Sequence, residues 1–471
     1  MNYHTRYAGL SAPVSACLVG GGAFGQSFLA QARFITRLSA RIAVDLSAEA
    51  AGRALEAAGF ARADIRLCDT PAEARAAFGA GHAVAAGRLD TVIDLPFHIL
   101  VEATGHPEAA AAHALAAIAA KRHVLLVTKE TDSVAGPMLG KLARDNGVNI
   151  TPVDGDQPSL LIDLVTWAET LGFDILCAGK SSEYDFVFDA ATGRVVSNGV
   201  AADLPAMRDA WNAQGRNLRE LAAARAGVLG GAFPLRTVPD LCEMALVANA
   251  TGLDADTPPF HFPVARVPEV AALFSTSRAE GLLAGHRRLD VFHHLRAPDE
   301  ASFAGGVFVT VACQDRASWQ VLAEKGHVVS ADGGSAMIYL PRHLLGLEAA
   351  TSILDLAGLG LSGYQDDYRP RVDLVAVTTA DLPAGTVLTA KGHHHTIDGV
   401  AAELRPMSPL SADRSMPYYL AANRRLVRPL RAGEAIRLSD LEIAPSAALL
   451  DLRLRQDRHF VSIDREGPRR A

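Results

Sequence analysis

Short apolar runs alternate with stretches whose apolar residues recur every three or four positions, and this alternation sets the reading of the first 150 residues. Ala16 to Val19 predicts a strand, Gln26 to Ile35 a helix, and Ile42 to Val44 a second strand. Ser47 to Ala58 is helical in composition and stops at Gly59. Arg62 to Cys68 predicts another short strand, and Thr70 to Phe78 a helix with Pro71 in its first turn. Ile99 to Ala103 reads as a buried strand ending in Thr104-Gly105, and Pro107 to Ala120 as the helix after it. The segment HVLLVTKE, from His123 to Glu130, adds a strand of the parallel type. Strands and helices in this order predict an α/β fold, a Rossmann-type doubly wound parallel sheet. Its ligand lies beyond the carboxyl ends of the strands.

A second region of α+β character begins near Thr151. Pro158 opens a helix with apolar residues Leu160, Leu161, Leu164, Val165, Ala168 and Leu171 on one face. Gly172 ends it, and a strand over Phe173 to Cys177 delivers Lys180, Ser181, Ser182 and Glu183 at its end. Residues 190–235 read as irregular and partly helical. Asp240 to Ala250 predicts a helix near Pro239, and Val307 to Cys313 a strand. From Val372 a pattern L-x-A-G-x-x-L/I occurs twice, at Leu382 to Leu388 and at Leu430 to Ile436. It predicts a small β-rich module of two similar halves. The expected division is therefore 1–150, 151–368, 369–447 and a charged tail, 448–471, that frays.

Chemistry enters first at Gly20, Gly22 and Gly25, spaced G-x-G-x-x-G between the first strand and the first helix. The first glycine permits the tight turn, the second lets backbone approach a pyrophosphate, and the third lets helix and strand pack closely. The helix N-terminus, with Ala23 and Phe24, offers N–H groups to the phosphates. Asp45 ends the next strand about 20 residues on, where a carboxylate accepts from the adenosine ribose hydroxyls. An acid there opposes a 2′-phosphate, which favours NAD over NADP, although Arg41 stands within reach of one. Thr104, Gly105, Lys129 and Glu130 fall at strand ends around the same crevice, with Lys129 near the nicotinamide ribose or in solvent.

Composition narrows the class. The 471 residues are 49% hydrophobic and 21% charged, as in an ordinary globular chain, and the formal net charge is −7. No basic surface argues for nucleic acid or for an anionic membrane. Five cysteines without a C-x-x-C pair, and no apolar leader in the first residues, point to a cytoplasmic protein.

The strongest polar cluster lies in the second region: Asp154, Asp156, Lys180, Glu183 and Asp185. A lysine at a strand end beside carboxylates polarises a carbonyl or shuttles its proton during hydride transfer. The carboxylates orient a hydroxylated substrate or hold a divalent metal. The plainer alternative has both aspartates capping the Pro158 helix and Lys180 paired with Glu183 at the surface. Glu130 and Asp132 are expected to face the cofactor crevice. Glu243 is either a buried functional acid or part of an exposed helix face. His393, His394 and His395 read as a solvated loop rather than a metal site.

The segments GGGAFG, VEATGHP, HVLLVTKETD, DGDQPSLLIDLVTWAETLGF, AGK and VANATGL resemble homoserine-dehydrogenase-like oxidoreductases with a C-terminal SAF domain. The resemblance covers most of residues 14–446, and the L-x-A-G-x-x-L repeat agrees with a SAF module. Within that group, reductoisomerase-like enzymes convert 1-deoxyxylulose 5-phosphate to methylerythritol phosphate with NADPH. The resemblance implies dinucleotide contacts at Gly20, Gly22, Gly25, Asp45, Thr104 and Gly105. It implies a substrate pocket at Glu130, Asp154, Asp156, Lys180 and Glu183, and a homo-oligomer. Arg236, Thr237, Val238 and Pro239 stand where that family carries D-G-T-K, and SSEYDF follows AGK in place of a glycine-rich continuation. The expectation is an NAD(P)-dependent oxidoreductase acting on a small hydroxylated substrate, with a lysine as its polarising or proton-transfer residue. The rivals are the reductoisomerase reaction and a non-catalytic dinucleotide sensor.

Overall fold

A computed structural model describes residues 2–213, 217–392, 395–443 and 447–466. Its first sheet has seven strands: β1 (Val14–Val19), β2 (Leu38–Val44), β3 (Ile65–Cys68), β4 (Ala83–Ala86), β5 (Ile99–Glu102), β6 (His123–Leu126) and β7 (Ile150–Thr151). Every pairing is parallel, in the order β3-β4-β2-β1-β5-β6-β7. The strands are apolar along their length because helices cover both faces. These helices are α1 (Ala23–Ala32), α2 (Ala48–Ala57), α3 (Pro71–Gly79), α4 (Pro107–Ala119) and α5 (Lys129–Asp145). Ser47 caps α2, and Thr70 and Glu73 close a capping box on α3 beside Pro71. The strand order turns back between β1 and β5, so a crevice opens at their carboxyl ends.

One boundary differs with consequence. The sixth strand stops at Leu126, and Lys129 and Glu130 begin α5. That helix is kinked at Ala135 (φ −150°), ahead of Pro137, which has no N–H to give to the helical ladder.

The second sheet is mixed and has nine strands among the described residues, two of them the short pieces Asp254–Ala255 and Val264–Ala265, which pair with residues 288–296. After α6 (Gln157–Thr170) come β8 (Ile175–Ser181), β9 (Phe186–Asp189), β10 (Arg194–Ser197) and β11 (Val200–Asp203). Then follow α7 (Leu218–Leu229), α8 (Val238–Thr251), β12 (Arg288–Arg296), β13 (Val307–Ala312) and β14 (Ser335–Leu340). Strand β8 runs to Ser181, four residues past the expected end at Cys177, and its Lys180 pairs with Val291 on one side and Val307 on the other. Gly179 makes this possible, since a Cβ there would meet the Asp290 carbonyl at 2.1 Å. The stretch expected to be irregular holds a hairpin, β10–β11, turned at Asn198 and Gly199 with φ of 47° and 73°. Asn-Gly between Val195-Val196-Ser197 and Val200 is the sequence signal for that turn.

The C-terminal sheet is antiparallel: β15 (Val372–Thr378), β16 (Ala390–Lys391), β17 (Thr396–Ile397) and β18 (Val400–Pro406) in the order β15-β18-β17-β16. The two repeat halves pair with each other. The Leu382 N–H donates to the Leu430 carbonyl at 2.8 Å, and the Leu430 N–H returns the bond at 2.9 Å.

The charged tail is helical as far as Glu466, and residues 467–471 lie outside the described residues. Residues Ala448–Glu466 form α9, which packs on α4 and α5. Leu449, Leu452, Arg453 and Gln456 are buried at helical spacing, so the apolar stripe includes one charge. Arg453 donates to Asp373 at 2.5 and 2.9 Å and to Asp457 at 2.8 Å. Gln456 accepts from the Met138 N–H and donates to the Val134 carbonyl, both at 3.2 Å, across the kink in α5. Sequence composition counts these charges as solvated; tertiary pairing buries them. No helix among the described residues is long and apolar enough to cross a membrane.

Candidate active site

The glycine turn separates into packing and opening. A Cβ on Gly20 would lie 2.5 Å from the Ala103 carbonyl oxygen, and one on Gly25 2.1 Å from the Gly20 carbonyl oxygen. Strand, turn and helix therefore close only with glycine at both positions. A Cβ on Gly22 would meet nothing within 4 Å. Gly22 opens α1 with no side-chain cap, so unpaired N–H groups of Ala23 and Phe24 face that open space. This cradle fits a dinucleotide pyrophosphate. Asp45 follows β2 and accepts the Gly21 N–H at 3.0 Å and the Leu46 N–H at 2.7 Å. Its carboxylate retains lone pairs for ribose hydroxyls. Arg41 stacks over the Phe78 ring, with its guanidinium carbon 4.2 Å from the ring centre.

Below the turn, Glu102 is wholly buried at the end of β5. Thr104 donates to it at 2.7 Å, Thr128 donates to its other oxygen, and the His113 Nδ1 lies 3.3 Å away. Thr128 in turn accepts the Gly105 N–H at 3.0 Å. The ends of β5 and β6 are thus tied through one carboxylate that the strand pattern concealed as part of an apolar run.

Beyond these strand ends lies a cavity of about 260 Å³. Lys129, Glu130, Asp156, Lys180, Glu183, Asp240, Glu243 and His343 line it, together with Phe24 and Gly105 of the dinucleotide side. Glu243, from α8, bridges the two lysines, one on each carboxylate oxygen. Lys129 also pairs with Asp156 at 3.4 Å, and Lys180 with Asp240 at 2.8 Å. Ser182 donates to the second Asp240 oxygen at 2.7 Å, as does Thr237. Asp240 came from no sequence pattern; its ion pair with Lys180 joins α8 to the end of β8 across 60 residues of sequence.

The electrostatics follow from burial and partners. Lys180 is 1% exposed. Burial works against its ammonium, yet Asp240 and Glu243 outweigh it and raise the pKa. Burial likewise opposes the Asp240 carboxylate, and Lys180 outweighs it and lowers the pKa. Lys180 is therefore a fixed cation. Glu130 is different. Burial raises its pKa to about 7, with Lys129 opposing the shift. His395, from the C-terminal module, places Nε2 3.7 Å from a Glu130 oxygen.

Several sequence expectations fall elsewhere. Asp154 accepts from Ser159 at 2.8 Å and from Thr351 at 2.6 Å, tying the start of α6 to residues 349–353 rather than lining the cavity. Asp132 is buried against the hydroxyls of Tyr364 and Tyr368, which hold its carboxylate, and it does not line the cavity. Asp185 pairs with His294 at 3.1 Å and Arg296 at 2.7 Å. Lys180 pairs with Asp240 and Glu243, not at the surface with Glu183. Lys129 is in the ionic cluster rather than in solvent. His393 and His394 lie outside the described residues.

The donor set does not suit a divalent cation. Lysine ammonium groups already occupy the space between the carboxylates, and among the described residues no group of three His, Cys, Asp or Glu is arranged to hold a metal.

A pH test isolates Glu130. With its folded pKa raised above an unfolded value of about 4.3, the folded chain holds a proton that the unfolded chain gives up. This group's contribution to stability is thus full below pH of about 4.3 and is lost as pH rises toward about 7. The stability difference between wild type and Glu130→Gln is expected to change by about 3 kcal/mol between pH of about 4 and 8. Urea unfolding at several pH values measures it, and a constant difference would mean that Glu130 is ionised throughout.

Residues 155–214 and 237–349 match the family profile described as oxidoreductase DRL, catalytic domain. That match covers just over a third of the chain and lies within its second region. No curated protein is significantly similar in sequence. Among solved structures, the chain is similar to biliverdin reductase from Synechocystis sp. PCC 6803, in complex with biliverdin and NADP+. That similarity has 20% identity over 38% of this chain and 48% of the other, with a TM-score of 0.23. It therefore spans about half the length of that relative. GenD2 from gentamicin A biosynthesis, in complex with NAD, shows 16% identity over 76% of this chain and 91% of the other, TM-score 0.34. A myo-inositol dehydrogenase from Lactobacillus casei shows 14% identity over 38% and 47%, TM-score 0.26.

Proposed function

We propose that this chain is an NAD(P)-dependent oxidoreductase, with NAD preferred, acting on a small hydroxylated or oxo substrate. One observation carries the reading: the open cradle at Gly22 and the Lys129–Glu243–Lys180 cluster belong to the same crevice. A bound nicotinamide supplies or accepts the hydride. Lys180, held as a cation by Asp240 and Glu243, polarises the substrate oxygen from a fixed position. Glu130, with a pKa near the working pH, takes the hydroxyl proton in oxidation and returns it in reduction. Asp156 and Glu183 orient neighbouring hydroxyls. Lys129 shares Glu243 with Lys180 and so fixes where that carboxylate stands. His395 lies beside Glu130, which supports a role for the SAF-like module in closing the site.

Fluorescence titration with NADH and NADPH tests the cofactor half. NADH is expected to bind more tightly, and Asp45→Ala to weaken it about tenfold by removing a charge-assisted acceptor. Binding of neither nucleotide overturns the reading, and a preference for NADPH removes Asp45 from it. The reductoisomerase alternative would seat a divalent metal on carboxylates that the two lysines already neutralise, so we place it second. It predicts turnover of 1-deoxyxylulose 5-phosphate with NADPH. A dinucleotide sensor would bind cofactor and transfer no hydride to any alcohol or carbonyl compound.

A further inference from the structure

A second cavity, of about 290 Å³, adjoins the first and shares Glu183 with it. Its character is opposite. Phe186, Phe233, Pro234, Ala232 and Val200 line it, with His293 beside them. The rings form a continuous series. Phe233 and Phe186 stand 5.3 Å apart, Phe186 and His293 5.4 Å, and Phe262 stacks behind His293 at 5.6 Å. Burial lowers the His293 pKa, and its Nε2 lies 2.9 Å from the Leu235 carbonyl. The imidazole is thus an uncharged member of the aromatic wall. The Asn198-Gly199 hairpin brings Val200 over the opening, where it remains 54% exposed. An apolar side chain held that open beside an apolar cavity gains most when something apolar enters.

One cation lines this cavity among the described residues. Arg236 is exposed at its rim and makes no ion pair or hydrogen bond with any described residue. The neighbouring cavity presents Lys129 and Lys180 against Asp156, Asp240 and Glu243, with Glu183 on the boundary between the two cavities, so its charge repels an anion. An anionic end is accepted at Arg236 and refused at the lysine cluster.

We propose that this cavity is the subsite for the non-reacting part of the substrate, which carries a flat apolar ring and ends in a carboxylate. The ring lies against Phe186 and Phe233, the carboxylate meets Arg236, and the hydroxylated or oxo carbon reaches past Ser182 to Lys180. This rests on the oxidoreductase reading of the first cavity. Aromatic walls favour ring stacking, the volume is near the lower end for small-ligand pockets, and guanidinium pairs well with carboxylate.

The test is calorimetric titration of the full chain with 4-phenylbutanoate and with butanoate, each with and without NADH. The phenyl compound is expected to bind about tenfold more tightly or better. Ala232→Trp fills the cavity and is expected to abolish that preference, while Arg236→Gln weakens both ligands about equally. NADH affinity is expected to be the same in all three proteins. Equal binding of the two acids, or a preference that survives Ala232→Trp, overturns the subsite. Unchanged binding in Arg236→Gln overturns the carboxylate end. If NADH binds to none of these proteins, the oxidoreductase reading fails, and the phenyl preference measured without NADH still decides the subsite.

Discussion

Lys180→Met is expected to lower kcat by about 10²- to 10³-fold, the usual cost of removing one preorganised charge from the developing oxyanion. Methionine keeps most of the side-chain volume between Val291 and Val307, so the strand pairing survives. What disappears is the cation held by Asp240 and Glu243. NADH affinity should stay within about twofold, since Lys180 makes no contact with the glycine turn. The same substitution strands a buried aspartate whose remaining partners are the Ser182 and Thr237 hydroxyls. Losing one partner of a buried pair costs about 3–5 kcal/mol. Lys180→Met/Asp240→Asn removes that stranded charge and should recover much of the stability while leaving kcat low. The assay is NADH oxidation or formation on the best substrate from an alcohol and carbonyl panel, with urea unfolding alongside. Activity within about tenfold of wild type would move the polarising role to Lys129.

The second large effect is on stability and lies far from the chemistry. Arg453→Met is expected to cost about 3–5 kcal/mol, because Asp373 and Asp457 then face each other in the core with no cation between them. Asp373 sits on β15, the first strand of the C-terminal module, and Arg453 on α9, so the pair clamps the module to the last helix. That helix also lends Gln456 to the backbone at the kink of α5. Helix α5 carries Lys129 and Glu130 in its first turn. Loosening α9 should therefore raise protease cleavage within residues 448–466 and weaken the site together. Urea unfolding and limited proteolysis measure both. An unchanged unfolding midpoint would mean that the pair does not exceed its own desolvation cost.

Local pattern was enough for everything whose cause is local. The period of apolar residues, the prolines in first turns and the spacing of Gly20, Gly22 and Gly25 act within a few residues of chain, so the parallel sheet and its opening could be read directly. The two L-x-A-G-x-x-L/I segments are likewise plain in the sequence, though their pairing at Leu382 and Leu430 is not. The Asn-Gly turn at 198–199 is local as well, since both residues adopt its positive φ without help from distant segments.

Long-range electrostatics were not legible. Whether a charged residue lies in water or in the core depends on which partner the fold brings within about 3 Å, and no periodicity encodes that. Asp154 and Asp156 stand two residues apart with the same chemistry, yet one ties down the start of α6 and the other faces the cavity. Lys180 meets Asp240 and Glu243 across more than fifty residues of sequence. Arg453 turns a charged tail into a packed helix through an aspartate 80 residues away. Element type and the dinucleotide turn belong to the chain itself. The charge network that makes the cavity reactive belongs to the tertiary structure, because a buried charge is stable only where distant segments meet to neutralise it.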